Sequence, residues 1–310
     1  MSSSLVRRIA AVSLGFALLA VSCGGGPEST AECVGGTLCL NSITQNGVQV
    51  DLLQAQEALP TGEATFTFGM VTKQGALLTG GSPQVWIARD GRTRPLGPFR
   101  ATFHRFTVNH EDHSPRTPLT GFYAAPLEIP GPGTWSVAAV ADVNGSRLVG
   151  AKTLSVTSGE GPARAGTKAI AVETPVATNA AEAKRICTRK PPDPMHYISL
   201  ERALRNGKPT VVTFATPLLC ESQICGPVVD EQLLVFERVG AKRANFVHVE
   251  EFPPGADLKP DPQTIPSYWR KWGFTTEPWT VIIDGDGIIR ARFEGPVVAA
   301  LIEDALKPLL

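Results

Sequence analysis

Cys220 and Cys225 are the residues of this chain best suited to chemistry. They sit in the stretch Val211-Val-Thr-Phe-Ala-Thr-Pro-Leu-Leu-Cys220-Glu-Ser-Gln-Ile-Cys225-Gly-Pro-Val-Val-Asp230, with four residues between them. Two thiols this close can interconvert between a dithiol and a disulfide, and the thiolate is the attacking form. The flanking residues bear on that form. Gly226 and Pro227 mark a helix start, because proline at a first helical position gives up only an N–H that would have no partner there. A thiol at a helix N-terminus faces unpaired N–H groups and the positive end of the macrodipole, which stabilise the thiolate. Glu221, between the cysteines, opposes it by like charge.

The elements that hold this pair follow from the apolar pattern. Val211 to Phe214 is a short β-branched run that reads as a buried strand, and Val228 to Phe236 is amphipathic at helical spacing. The strand ending in Phe, the paired cysteines and the Gly-Pro helix start resemble the thioredoxin superfamily, whose active loop is Trp-Cys-Gly-Pro-Cys. Leu219 stands where that family has tryptophan, and the cysteines are four residues apart instead of two. A second match is Gly273-Phe-Thr-Thr-Glu-Pro278-Trp-Thr-Val-Ile-Ile-Asp-Gly-Asp-Gly-Ile-Ile. The resemblance implies that Pro278 is cis and faces the cysteines just before a strand, and that the next two strands form a hairpin. It further implies thiol-disulfide exchange with protein thiols or disulfides, with Cys220 attacking and Cys225 resolving. Those roles stay reversible, since Cys225 lies closer to the helix start.

From Pro191 to Leu310 the pattern is α/β. Ser199 caps a short helix through Arg205, and strands are expected at Thr210–Ala215 and Asn245–Val249. Trp269 and Trp272 read as core anchors of a helical segment. Trp279–Ile283 and Ile288–Phe293 pair across Asp284-Gly-Asp-Gly287, and Val297–Leu309 closes the region as a helix. Three other readings remain. A peroxiredoxin-like peroxidase wants a hydroxyl residue where Pro217 stands. A Sco-like copper-handling protein wants a downstream histidine, and none follows His248. In the third, the Cys220-Cys225 bond is structural and the chain is a non-catalytic binding or scaffolding module. No cofactor and no metal ligand set is called for.

Composition bounds the rest. A 310-residue chain that is 43% hydrophobic has enough apolar material for two domain cores. Its 29 basic residues balance 29 acidic ones, so nothing points to nucleic acid. At the N-terminus, Arg7 and Arg8 precede an apolar run, Ile9 to Val21, too short to span a bilayer. That is the layout of a secretory signal, residues 1–22. Ala20-Val-Ser-Cys23 resembles the bacterial lipobox, which implies a lipid anchor on Cys23 and an extracytoplasmic, membrane-attached protein; a plain secreted chain is the rival. Residues 23–41, with Gly24-Gly-Gly-Pro-Glu-Ser-Thr, read as a flexible tether. Lipidated Cys23 would leave five of the six cysteines. Cys33 with Cys39, and Cys220 with Cys225, can close small loops, and Cys187 is the spare: an inert buried thiol in preference to a third redox partner.

Residues 42–157 carry the pattern of an all-β domain. β-forming runs recur at Ala64–Val71, Gln84–Ala88, Gly121–Ile129, Thr134–Val143 and Arg147–Val156, with a hairpin signal at Asn144-Gly145. Pro130-Gly-Pro-Gly-Thr-Trp135-Ser-Val resembles a strand entry of immunoglobulin-like bacterial domains, which implies a β-sandwich with Trp135 in its core. His104, His110 and His113 could bind copper, nickel or zinc, but their spacing matches no defined site and the loop reads as solvated. Residues 158–186, rich in Gly, Ala, Thr and Pro, read as a linker. The expected fold is thus multi-domain: an all-β immunoglobulin-like sandwich, then a linker, then an α/β thioredoxin-like domain over 187–310.

Overall fold

The β-forming runs pair into two sheets that share one core. The structure is a computed structural model that describes residues 33, 38–108, 119–159, 161–220, 223–252 and 262–310. The expected signal, Cys23, His110, His113 and Glu221 lie outside these. After a short helix α1 (Leu40–Thr44) come β1 (Val48–Gln49), β2 (Asp51–Gln54), β3 (Leu59–Pro60), β4 (Gly62–Val71), β5 (Gln84–Ala88), β6 (Leu96–Arg100), β7 (Thr102–Arg105), β8 (Gly121–Ile129), β9 (Gly133–Val143) and β10 (Ser146–Thr157). One sheet has the order β1-β10-β9-β5-β6, with β3 also on β10; the other is β2-β4-β8-β7. Phe66, Phe68, Tyr123 and Leu127 from the second sheet meet Val85, Ile87, Trp135, Val137 and Leu154 from the first. Trp135 enters this core with its indole N–H bonded to Gly131 O at 2.9 Å. Asn144 and Gly145 both have positive φ, 51° and 78°, as the tight turn between β9 and β10 requires.

The second part is built on one four-stranded sheet of order β12-β11-β13-β14: β11 (Thr210–Phe214), β12 (Asn245–Val249), β13 (Trp279–Ile283) and β14 (Ile289–Glu294). β11 and β12 are parallel, joined through α4 (Cys225–Val239), and β13 and β14 are antiparallel additions, so a βαβ half is followed by a hairpin. β11, β12 and β13 are each buried along their whole length because both faces of the sheet are covered. Alternation sorts the side chains. Val211, Phe246 and Ile282 face α4 and α6 (Ala299–Leu306). Val212, Phe214, Val247, Val281 and Ile283 face Trp269 and Trp272 of α5 (Ser267–Trp272) and Leu200 of α3 (Leu200–Ala203). Both tryptophans are core anchors. Ser199 caps α3 by accepting from Arg202 N, a contact worth about 1 kcal/mol.

Two expectations change. Helix α4 begins at Cys225, before the Gly-Pro pair, so Pro227 is its third residue. Proline is tolerated there because the first four helical N–H groups have no intrahelical acceptor. Within residues 158–186, expected as a linker, several residues are bonded to or packed on the α/β part. Gly166 N donates to Ile289 O, Ala169 N to Gly287 O, and Val172 joins the core beside Leu200; α2 (Ala180–Ile186) follows, capped by Asn179. No helix among the described residues is long and apolar enough to cross a membrane.

From Cys33 onward the described residues form one compact unit, and β8 shows why. Tyr123 and Ala125 point into the sandwich, while Phe122 on the opposite face joins the α4/α6 core together with Phe106. Glu231 of α4, fully buried, accepts hydrogen bonds from Thr107 N, Val108 N and Ala299 N, tying the β part to two helices of the α/β part. Truncation would remove a charged acceptor from three N–H donors, of which Ala299 N is buried and Thr107 N and Val108 N are part-buried. Glu231→Ala should therefore lower the unfolding free energy by about 3–5 kcal/mol in a denaturant titration, and Glu231→Gln, which keeps an acceptor, by less. Equal stability of wild type and Glu231→Ala would remove this residue from the joint.

Candidate active site

The loop that carries the cysteines is fixed at its root. Ala215 N, just past β11, donates to Val249 O. The Thr216 hydroxyl accepts from Glu251 N at 2.9 Å and Phe252 N at 3.1 Å, so the ends of β11 and β12 are clasped together. Leu218 N donates to Thr188 Oγ1 at 3.2 Å, and Thr188 is itself held by Glu250, which accepts its N–H at 2.6 Å. Leu219 N closes a turn on Thr216 O. Gln223, at φ 61°, turns the chain into α4.

Cys220 and Cys225 are joined in a disulfide with Cα atoms 6.0 Å apart, a separation that lets the bond open and close without moving the backbone. Cys225, the first helical residue, is fully buried; Cys220 is half-buried. The Glu277–Pro278 peptide bond is cis, and Pro278 is buried. Because Trp279 pairs with Phe214, the β11–β13 register sets Pro278 opposite the chain as it leaves β11 at Ala215. The three residues expected at the site are thus placed at one end of one sheet.

The residue that sequence reasoning missed is Glu277. Its carboxylate and the two sulfurs lie within 4.8 Å of one another, and Oε2 is shut off from solvent without a hydrogen-bond partner. Burial, then the negative charge of Glu251, pushes its pKa up to about 8, while hydrogen bonds from Thr216 pull the other way. Glu251 is raised to about 7 by burial. Glu250 is also raised to about 7, by burial against the opposing pull of His248 and Thr188. A carboxyl that titrates near neutrality beside two sulfurs can pass a proton to or from a thiol. The signal in the sequence was only an acid next to Pro278. Three potential ligands also meet here, but as a disulfide the sulfurs offer no thiolate to a metal.

The other candidates lie elsewhere. His104 is on β7, stacked on Phe122 with ring centroids 5.3 Å apart, and burial lowers its pKa. Cys33 and Cys39 form the second disulfide, and Cys187 is a free, buried thiol.

No family model matches the chain, and no curated protein matches it in sequence. Solved structures similar to part of it include the following three. A thiol-disulfide isomerase from Corynebacterium glutamicum matches at 17% identity and TM-score 0.33, covering 46% of this chain and 96% of that one. A thiol:disulfide interchange protein of the thioredoxin family from Chlorobium tepidum TLS matches at 17% identity and TM-score 0.26, covering 46% and 99%. A DsbH oxidoreductase matches at 20% identity and TM-score 0.25, covering 46% and 90%.

Proposed function

We propose that the protein is a thiol-disulfide oxidoreductase of thioredoxin type, held outside the cytoplasm by a lipid on Cys23, with an immunoglobulin-like β-sandwich as its N-terminal part. The observation that carries the reading is the Cys220-Cys225 bond at the start of α4 with the Glu277 carboxyl in reach of both sulfurs. In the reducing direction the Cys220 thiolate attacks a substrate disulfide. One substrate sulfur becomes bonded to Cys220 and the other leaves as a thiolate, which takes a proton from water. Cys225 then gives its proton to Glu277 and attacks the Cys220 sulfur, so the second substrate thiolate leaves and is protonated in turn. The products are a substrate dithiol and the Cys220-Cys225 disulfide; the reverse sequence oxidises a dithiol. The half-buried position of Cys220 suits attack on a protein substrate, and burial of Cys225 suits the internal step.

Burial of Cys225 also favours a second reading, a permanent structural bond on a binding or scaffolding module. One preparation separates the two. In membranes from cells expressing the full chain, the wild type should sediment with the membrane and Cys23→Ala should not. The Cys220-Cys225 couple should equilibrate with a glutathione buffer at a potential above about −300 mV, the ceiling typical of structural disulfides. A lower potential, or no exchange at all, would establish the structural reading. Membrane association that survives loss of Cys23 would reject the anchor.

A further inference from the structure

Behind the cysteine loop lies a second cluster that thiol-disulfide exchange does not use. Cys187, Asp193, His196 and His248 are all buried, and one ligand atom from each lies within 4.8 Å of the others. Asp193 Oδ2 is central. It is 2.7 Å from His248 Nδ1, 3.2 Å from Cys187 Sγ and 3.6 Å from His196 Nε2. The outward-facing atoms of two ligands are already held: His248 Nε2 bonds Ala215 O at 3.0 Å, and Asp193 Oδ1 accepts from Met195 N at 3.0 Å. His196 Nε2 is buried without a hydrogen-bond partner.

We propose that these four side chains form a metal site of zinc type, distinct from the redox pair. The donor set, one thiolate, one carboxylate and two imidazoles, is the mixed N, O and S set that zinc takes in tetrahedral coordination. Metal bonds of about 2.0–2.3 Å place tetrahedral ligand atoms roughly 3.3–3.7 Å apart, so modest side-chain shifts convert the observed cluster into a coordination shell. Charge also fits. A divalent ion with one thiolate and one carboxylate is neutral, and neutrality matters where no water screens the charges. The held outer atoms are what a coordinating histidine and carboxylate require of their surroundings, since they fix the tautomer and aim the lone pairs inward. The orphan His196 Nε2 gains the partner it lacks. Such an ion would pin residues 187–196 to β12 and to the end of β11, directly under the loop that Thr188 supports.

The test uses the full chain in a Cys23→Ser background with both disulfides oxidised, so that Cys187 supplies the free thiol. Protein unfolded in guanidinium with a chelator is refolded with Co(II) as a zinc substitute, and its spectrum is recorded. Stoichiometric binding with a thiolate-to-cobalt charge-transfer band is expected. Cys187→Ser should lose that band, and His196→Asn should weaken binding about 100-fold or more. His196→Asn also guards against misfolding of the Cys187 variant, because its Nε2 makes no hydrogen bond that folding could depend on, and far-ultraviolet circular dichroism checks the fold of each. No stoichiometric binding would overturn the site. So would a charge-transfer band that persists in Cys187→Ser and disappears in Cys220→Ser/Cys225→Ser, which would move the metal to the redox pair.

Discussion

Cys225→Ala is expected to accumulate covalent adducts with substrate proteins, while Cys220→Ala accumulates none, and both should lose turnover of a model disulfide by at least about 1000-fold. The asymmetry follows from placement. Cys220 lies in the loop and is half-buried, so it can meet a sulfur on another molecule; Cys225 is fully buried at the first turn of α4 and can meet only Cys220. Without Cys225 the mixed disulfide has no internal thiol to displace it, and it persists until an external thiol arrives. Non-reducing gels of cells expressing each variant read the result directly. Adducts on Cys220→Ala instead would exchange the two roles, a result the helix N-terminus would explain, since it favours the thiolate of Cys225. Adducts on neither variant, with an inactive wild type, would leave the bond structural.

Glu277→Gln should lower the rate of the resolving step about 100-fold, within the range for loss of a general base, and should remove the rise in that rate as the carboxyl ionises at a pH of about 8. Glutamine keeps the shape and polarity but cannot accept the Cys225 proton. The same substitution should change how stability depends on pH. Glu277 ionises at about 8 in the folded chain and at about 4.3 when unfolded. Between those values the folded state holds a proton that the unfolded state has released, so stability falls as pH rises through that window. Removing the group should flatten the slope. It should not abolish it, because Glu250 and Glu251, each raised to about 7, act with the same sign. Denaturant midpoints at a series of pH values test this, and an unchanged slope together with an unchanged rate would reduce Glu277 to a bystander.

Much of the architecture was legible in the amino-acid order. β5, β8, β12 and β13 begin and end where their apolar runs do, and the Asn144-Gly145 turn and the Ser199 cap are local devices that act over a few residues. Such features are set by φ/ψ preference and by side-chain alternation, which neighbours in sequence control. Cys220 and Cys225 stand out in the sequence because their loop joins the apolar run of β11 to the helical pattern of α4, and Pro278 because it directly precedes the run of β13.

The tertiary structure decided what depends on distant segments. Phe122 and Tyr123 are adjacent and equally apolar, yet one belongs to the α4/α6 core and the other to the sandwich, and only the packing of the two parts tells them apart. Residues 161–186 carry little periodicity because much of their order comes from hydrogen bonds to β14 and the turn before it instead of from a face of their own. The acidity of Glu277 depends on burial and on Glu251, and the closeness of Cys187, Asp193, His196 and His248 depends on β12 passing beside the 187–196 segment. Electrostatic and ligand-field chemistry act through space over a few ångströms, whereas sequence pattern reports only what lies along the chain.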